Sequence, residues 1–334
     1  MPELPEVETV RRGLHSLIIG RVIKIVEHDT PKSFPNSGGD VKQFLIGAQI
    51  TNVRRRAKVL LIDLSTDYTL VIHLKMTGQL VFVGASFPGV TSKHLQPEID
   101  KAPGSLLDPG AKPFARHSQE DEQITEPERF GAGHPNDSLI GKLPDRSTRA
   151  TFTFKDNSYL YFNDQRKFGW VKLMPTIEVP TIDFMKKVGP EPLEADFTAD
   201  EFAARFARRP GTSIKAALLD QTVVAGVGNI YADESLWGAK IHPQRLVKTI
   251  TRAEFKKLYT ELRAVMNLAI EKGGSTDKNY VNAEGKRGSY MDFARVFRRE
   301  GKPCPRCGTT IIKFKAAGRG THICPHCQKL PETL

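Results

Sequence analysis

The stretch Cys304-Pro305-Arg306-Cys307, followed after sixteen residues by Cys324-Pro325-His326-Cys327, decides how the rest of the chain is read. Each Cys-x-x-Cys turn points two thiolates at one centre, and four soft ligands close a tetrahedral site with no open position. Such a site is structural: one Zn2+ holds together a hairpin too short to build a core of its own. The competing reading is two independent redox pairs. A four-cysteine ribbon leaves function open, because transcription, translation and repair proteins all use it. Lys313, Lys315 and Arg319 lie at the tip of the expected hairpin. Gly318 and Gly320 flank Arg319 and let the backbone approach a ligand closely. Its guanidinium can then reach a phosphate bidentately; a solvated basic turn is the plainer alternative.

Outward from the ribbon, the charge is uneven. From Lys286 to Leu334 eleven Lys/Arg stand against three Asp/Glu, a local balance of about +8 in a chain of net charge +11 and pI near 9.4. Basic side chains that neutralise phosphates release condensed counterions, so a polyanionic partner is expected. No apolar run approaches the roughly 18 residues that a membrane span requires. The N-terminal stretch is acidic and lacks an apolar signal core, and every cysteine belongs to a Cys-x-x-Cys pair. A reducing, cytoplasmic location is therefore expected.

A chain of 334 residues with 39% hydrophobic content has room for two or three modules with real cores. Glu6 to Leu17 reads as a helix opened by Pro5. Short strands follow from Arg21 to about Val83, among them Val22–Val26, Val59–Ile62 and Leu70–Leu74. Between Gly84 and Asp145 the pattern lapses. Eight of the 22 prolines gather there with the acidic cluster Glu120-Asp121-Glu122, which predicts a solvated, loop-like insertion. Strands resume at Ala150–Phe154 and Tyr159–Phe162 and end near Leu173. After a linker from Pro175 to Pro192, helical periodicity marks Ala199–Ala207, Ile214–Asp220, Asn229–Trp237 and Arg252–Glu271.

The opening Met1-Pro2-Glu3-Leu4-Pro5-Glu6 carries chemistry of its own. Methionine before a small residue is normally trimmed, which leaves Pro2 with a free secondary amine. An α-amine titrates at about 8, so part of it is unprotonated at neutral pH. Amines form Schiff bases with carbonyl-type carbons, and Glu3 and Glu6 stand beside this one as acid/base candidates. Met-Pro starts are common, so this signal is weak alone.

Combined, the motifs are specific. Pro2-Glu3-Leu4-Pro5-Glu6-Val7-Glu8 resembles the N-terminus of the formamidopyrimidine-DNA glycosylase family, whose endonuclease VIII branch typically has Gly in place of Leu4. Four more stretches match in order. They are Arg54-Arg55-Arg56-Ala57-Lys58, His73-Leu74-Lys75-Met76-Thr77-Gly78, Gly226-Val227-Gly228-Asn229-Ile230-Tyr231-Ala232 and Gly273-Gly274-Ser275-Thr276. The ribbon, with Arg319 five residues before Cys324, completes the pattern.

The resemblance implies a multidomain α+β fold. An N-terminal catalytic β-sandwich with flanking helices would span residues 1–175, with 84–145 as the insertion. A helix-two-turn-helix DNA-binding domain would span 193–300 and the zinc ribbon 301–334. Damaged double-stranded DNA would lie in the cleft between them, and the protein would act as a monomer. Roles follow from the same likeness. Pro2 would attack C1′ of the damaged nucleotide, and the Schiff base would undergo β- and δ-elimination. Glu3 would be the general acid/base with Glu6 nearby, Lys58 would support β-elimination, and Arg319 would clamp phosphate for δ-elimination. Chemistry on a base requires taking it out of the stack, and Met76, Arg166 and Phe168 would fill the void. Plain core packing is the alternative for Met76 and Phe168. Asn229, at a helix N-terminus, would hold phosphate, with His73 in the same DNA-contacting set. Lys215 matches a lysine linked with oxidised-guanine processing. Arg208 and Arg209 would add phosphate contacts unless they are merely solvated, and residues 275–290 would close over the lesion.

Two departures concern substrate detail. The family's Lys-His-x-His stretch is replaced by Arg146-Ser147-Thr148-Arg149, so Arg146 or Arg149 is expected to take over the lost histidine's phosphate contact. Its Pro-Arg-Arg-Phe-Gly becomes Gln165-Arg166-Lys167-Phe168-Gly169. The leading expectation is a bifunctional glycosylase/lyase acting on 8-oxoguanine and formamidopyrimidines. An endonuclease VIII-like preference for oxidised pyrimidines is the runner-up, which Leu4 and the Met76/Arg166/Phe168 set disfavour. A non-catalytic damage sensor is the other class, and a mere binder needs no Pro2, Glu3 and Lys58 together.

Overall fold

The computed structural model describes residues 2–85, 129–134, 137–275 and 290–331. The chain opens with helix α1 (Leu4–Ile18), which has Glu3 at its N-cap and Pro5 in its first turn. Proline suits that position, where the missing N–H has no partner to lose. Val7, Val10 and Leu14 pack into the core of the N-terminal domain, whereas Leu4 packs into the core of the helical domain. One helix therefore bridges both domains, and its first turn stands at the seam.

Two antiparallel sheets form the N-terminal sandwich. The four-stranded sheet runs β2 (Ile50–Arg56), β3 (Val59–Leu64), β4 (Tyr68–His73) and β9 (Trp170–Pro175). The five-stranded sheet runs in the order β1 (Ile23–His28), β7 (Thr148–Phe154), β8 (Tyr159–Asp164), β5 (Gly78–Val83) and β6 (Arg129–Gly133). Between them Leu60, Ile62, Leu70 and Ile72 meet Leu80, Phe82, Phe152 and Phe162. The opposite face of β3 and β4 is also covered, where Val59, Leu61 and Val71 pack with Met174 and Val179. Burial on both faces explains why these strands read as continuous apolar runs without alternation. A short helical turn, α2 (Gly38–Asp40), and a π-turn over Val41–Leu45 join β1 to β2.

The expected insertion over 84–145 needs correction at its C-terminal end. Residues 129–133 form edge strand β6, in register with β5 from Gln79↔Gly133 to Val83↔Arg129. Arg129-Phe130-Gly131-Ala132-Gly133 has one large apolar residue and so shows no periodicity. Tertiary packing supplies what the pattern lacks: the Phe130 ring fits against Gly13 on α1, where a Cβ would stand only 2.0 Å from its Cζ. The acidic cluster and the rest of the insertion, residues 86–128, lie outside the described residues.

The linker also carries structure, a 3₁₀ segment (Thr176–Thr181) and helix α3 (Asp183–Lys187). The helical domain follows with α4 (Ala199–Ala207), α5 (Ile214–Leu219), α6 (Asn229–Ala239) and α7 (Arg252–Glu271). Ser213, Thr198 and Thr251 cap three of these helices through their hydroxyls, which satisfies otherwise orphaned N–H groups. The ribbon hairpin is β10 (Ile312–Ala316) and β11 (Arg319–Ile323). Among the described residues no helix is long and apolar enough to cross a membrane.

Gly13→Ala tests the β6 contact. Alanine inside a helix normally gains about 0.5–1 kcal/mol over glycine, whereas overpacking a filled site costs about 1–3 kcal/mol. Packing should win here, so thermal melting is expected to show a net loss of stability.

Candidate active site and nucleic-acid interface

Pro2 and Glu3 sit at the N-terminus of α1 and are buried at the interdomain seam. Glu6 turns back to accept a hydrogen bond from the Glu3 amide at 2.8 Å. The Glu3 carboxylate points across the seam, where its Oε1 accepts from the Ile230 amide in the first turn of α6 at 3.1 Å. Its Oε2 is buried and has no hydrogen-bond partner among the described residues. Gly228 makes this approach possible, because a Cβ there would lie 2.2 Å from Glu3 Cδ. Gly226, at φ +79°, does the same for Leu4 with a Cβ clearance of only 2.5 Å. The Gly-Val-Gly turn is thus shaped to receive the first residues of the chain.

Lys58 enters from the β2–β3 turn, 6% exposed, and donates from Nζ to the Val227 carbonyl at 2.8 Å. Burial lowers its pKa against the pull of Glu3 and Glu6, and the nearby Arg319 charge lowers it further. Burial likewise raises the Glu3 pKa to about 7, opposed by Lys58 and reinforced by Glu6. A carboxyl that titrates near neutrality can give and take a proton at working pH. Glu6 is held by the Tyr231 hydroxyl at 2.6 Å and the Ser275 amide at 2.7 Å. Burial together with the Glu6 charge pushes the Tyr231 hydroxyl well above its ordinary value, so it stays a donor.

A second group gathers at the open edge of the sandwich. Met76 and Phe168 are 39% and 44% exposed, and the Arg166 guanidinium lies 4.8 Å from the Phe168 ring centroid and 3.4 Å from the Met76 sulfur. Residues ninety positions apart thus make one exposed apolar and cationic projection. Asp164, fully buried, builds it. Its carboxylate accepts from Thr77 Oγ1 and from the amides of Arg166, Phe168 and Gly169, the last three at 3.1, 2.8 and 2.6 Å. Nearby His73 is held at about 3 by burial and by the charges of Lys75 and Lys58, so it is neutral. Its Nδ1 accepts from the Lys75 amide at 3.0 Å, which leaves Nε2–H as the available donor.

Beyond the seam, Arg319 is exposed at the β10–β11 turn. Asn229, at the start of α6, donates from Nδ2 to the Gly320 carbonyl at 2.9 Å. It therefore ties the hairpin to the helix, and its buried Oδ1 has no partner among the described residues.

The chain matches known proteins along almost its whole length. Residues 1–171 match the formamidopyrimidine-DNA glycosylase N-terminal domain, 188–280 the H2TH domain of the same enzyme, and 301–330 a zinc finger found in FPG and IleRS. The formamidopyrimidine-DNA glycosylase of Pelotomaculum thermopropionicum is 38% identical over 99% of this chain and 100% of its own length. That of Streptococcus pyogenes is 38% identical over 98% and 99%. The chain belongs to the formamidopyrimidine-DNA glycosylase family. Among solved structures, Lactococcus lactis Fpg in complex with DNA containing an abasic site superposes with a TM-score of 0.76 at 31% identity, covering 98% of this chain and all of that one. The same enzyme bound to DNA with an oxidised pyrimidine gives 0.75 at 31% identity over the same shares.

As in the family's zinc finger, the four cysteine sulfurs converge, all lying within 4.8 Å of one another. The donor set fits one structural zinc ion held by Cys304, Cys307, Cys324 and Cys327. Zinc would supply cohesion here, and Trp237 seals the site by donating from Nε1 to Cys304 Sγ at 3.4 Å.

Two residues expected to touch DNA face inward. Lys215 is fully buried and donates to Asp233 Oδ1 at 2.6 Å and to Thr321 Oγ1 at 2.7 Å. It braces the helical domain against the ribbon hairpin, because an unpaired buried ammonium would be prohibitively costly. Arg149, 6% exposed, pairs with Asp29 and donates to the Asp164 and Arg146 carbonyls. Of the pair offered as a histidine substitute, only Arg146 remains exposed. Arg209 is half exposed and paired with Asp220 at 2.9 Å, and Arg208 is exposed. Most of the loop expected to close over the lesion, residues 276–289, lies outside the described residues.

Motif reading missed the buried acids Asp164, Glu191, Asp233 and Glu234. Asp233 and Glu234 did leave a signal, since they are the two charged residues of α6 and buried charges require partners. Two outcomes are expected. Chelating the metal should change Trp237 fluorescence and weaken DNA binding, with recovery on adding zinc; an unchanged emission would argue against a metal held beside Trp237. Glu3 holds its proton to about pH 7 when folded but only to its ordinary value of 4.5 when unfolded. The unfolded state then binds fewer protons in that window, so stability falls as pH rises through it. Glu3→Gln should remove this slope from a series of melting curves.

Proposed function

We propose that the protein is a base-excision repair glycosylase with AP lyase activity, removing oxidised purines such as 8-oxoguanine and formamidopyrimidines from duplex DNA. The observation that carries this reading is the Glu3 carboxylate beside Pro2, with one oxygen fixed by α6 and the other buried and without a partner among the described residues. A buried carboxylate oxygen left without a donor is costly, and in this setting it is a place for a substrate proton or hydroxyl.

Once Met1 is removed, the Pro2 nitrogen is a secondary amine. Its lone pair attacks C1′, the N-glycosidic bond breaks and the base leaves with a proton. The Pro2 nitrogen then sheds its proton, O4′ takes one up and the C1′–O4′ bond breaks, so the sugar opens to an iminium; this acidifies C2′, and loss of a C2′ proton expels the 3′ phosphate. Expulsion of the 5′ phosphate follows as δ-elimination. Glu3, titrating near neutrality, is the proton carrier for these steps. Lys58 and Arg319 supply positive charge toward the phosphates that leave, and the zinc ribbon holds Arg319 in place. Met76, Arg166 and Phe168 enter the stack in place of the extruded base, with His73, Asn229, Arg146 and Arg209 as candidate phosphate contacts. We place the enzyme in the cytoplasm at the nucleoid, acting as a monomer on damaged double-stranded DNA. Oxidised pyrimidines are a second substrate class to test, because Lactococcus lactis Fpg has been captured on such DNA.

Borohydride trapping decides the matter. Duplexes carrying 8-oxoguanine or dihydrouracil should be incubated with protein and reduced, with covalent adduct as the readout. Adduct with the purine lesion is expected, and adduct with neither would leave only a binding protein. Pro2→Gly, whose amine is primary, should slow trapping, and retention of Met1 should abolish it.

A further inference from the structure

The interdomain linker contributes one carboxylate whose placement the reaction scheme leaves unused. Glu191 is 7% exposed. Its Oε1 accepts from the Ala57 amide and from Arg56 Nη1 at 3.1 Å, and its Oε2 accepts from Arg55 Nη1 at 2.7 Å. Arg56 also donates to the Gly189 carbonyl at 2.7 Å, and Arg55 reaches Glu8 on α1 at 3.3 Å. These contacts fall on the turn between β2 and β3, where Ala57 is left-handed at φ +53° and the next residue is Lys58.

The other side of the linker grips the helical domain. Gly189 N donates to the Gln221 carbonyl at 2.8 Å, and Ala225 N donates to the Pro190 carbonyl at 2.9 Å. Gln221 in turn receives the Gly226 amide at 3.0 Å and donates to the Val227 carbonyl at 2.9 Å. That carbonyl is the acceptor of Lys58 Nζ. The chain of bonds therefore closes on itself, from Ala57 through Glu191, Pro190, Ala225 and Val227 back to Lys58.

We propose that Glu191 is a positioning residue: it locks the turn that presents Lys58 onto the loop that receives it, and so sets where the ammonium stands relative to Pro2 and Glu3. The inference rests on the lyase reading above. A lysine side chain has four rotatable methylenes, so its reach is defined only if its own backbone is fixed to its acceptor. The β2–β3 ladder fixes Arg56 opposite Val59 but leaves the left-handed turn beyond it free to tilt against the helical domain. Glu191 removes that freedom. It also joins three charged pieces, since Arg55 pairs with both Glu191 and Glu8, and α1 carries Pro2 and Glu3.

The test separates chemistry from binding. Single-turnover borohydride trapping on an abasic-site duplex is measured for wild type, Glu191→Gln and Glu191→Ala, alongside affinity for a duplex with a non-cleavable abasic analogue and the melting temperature. A misplacement of about 1 Å at a reacting group costs roughly 10²-fold in rate. Glu191→Ala should therefore trap about 10²-fold more slowly, and Glu191→Gln about tenfold, because its amide keeps an acceptor for Ala57 but turns a donor toward Arg55. Affinity should stay within about threefold of wild type, since loss confined to the reactive step leaves ground-state binding intact. Trapping at the wild-type rate in both variants would overturn the proposal. So would a parallel fall of rate, affinity and folded fraction, which marks simple loosening. Absence of adduct with the wild-type protein would instead sink the lyase reading itself, and this one with it.

Discussion

The burial of the Glu3 carboxylate against the first turn of α6 is the constraint around which the molecule is organised. A carboxylate removed from water costs several kcal/mol unless donors and charges compensate it. Here one amide, a nearby ammonium and a raised pKa share that task. The arrangement demands that the chain's first residues reach the seam between two domains, that α1 contribute to both cores, and that glycine occupy 226 and 228. A side chain at Gly228 would displace Glu3 and one at Gly226 would displace Leu4.

Other buried acids repeat this logic as ties between segments distant in the chain. Glu234 gathers the amides of Arg295, Val296 and Phe297 at 2.8–3.1 Å and so holds the approach to the ribbon against α6. Asp233 takes the Lys215 ammonium on one oxygen and the His322 amide on the other, which fixes the hairpin that bears Arg319. Asp164 gathers three amides to shape the Arg166–Phe168 turn. Such ties contribute less to stability than apolar packing of equal volume would. Their directionality suits a molecule in which exposed side chains of separate modules are held in fixed relation to one another.

Much of the architecture was legible in local pattern. The helices at Ala199–Ala207 and Arg252–Glu271 begin and end where their caps and periodicity placed them. The four cysteines meet as their spacing required. What escaped was structure held by distant partners. Strand β6 has too little apolar content to announce itself and depends on Gly13 and β5. Lys215 and Arg149 were expected among the DNA contacts because local sequence does not distinguish a cation open to a ligand from one paired with an acid elsewhere in the fold. The acids that receive them, Asp233 and Asp29, are 18 and 120 residues away.

The sequence by itself determined the module order, the zinc ligands and the residue types able to do amine, carboxylate and phosphate chemistry, because each depends on short spacing or on intrinsic reactivity. Only the tertiary structure decided which of those groups lie together and in what state. Proximity sets desolvation and charge coupling, and these make Glu3 an acid near neutrality, His73 a neutral donor and Lys215 a brace.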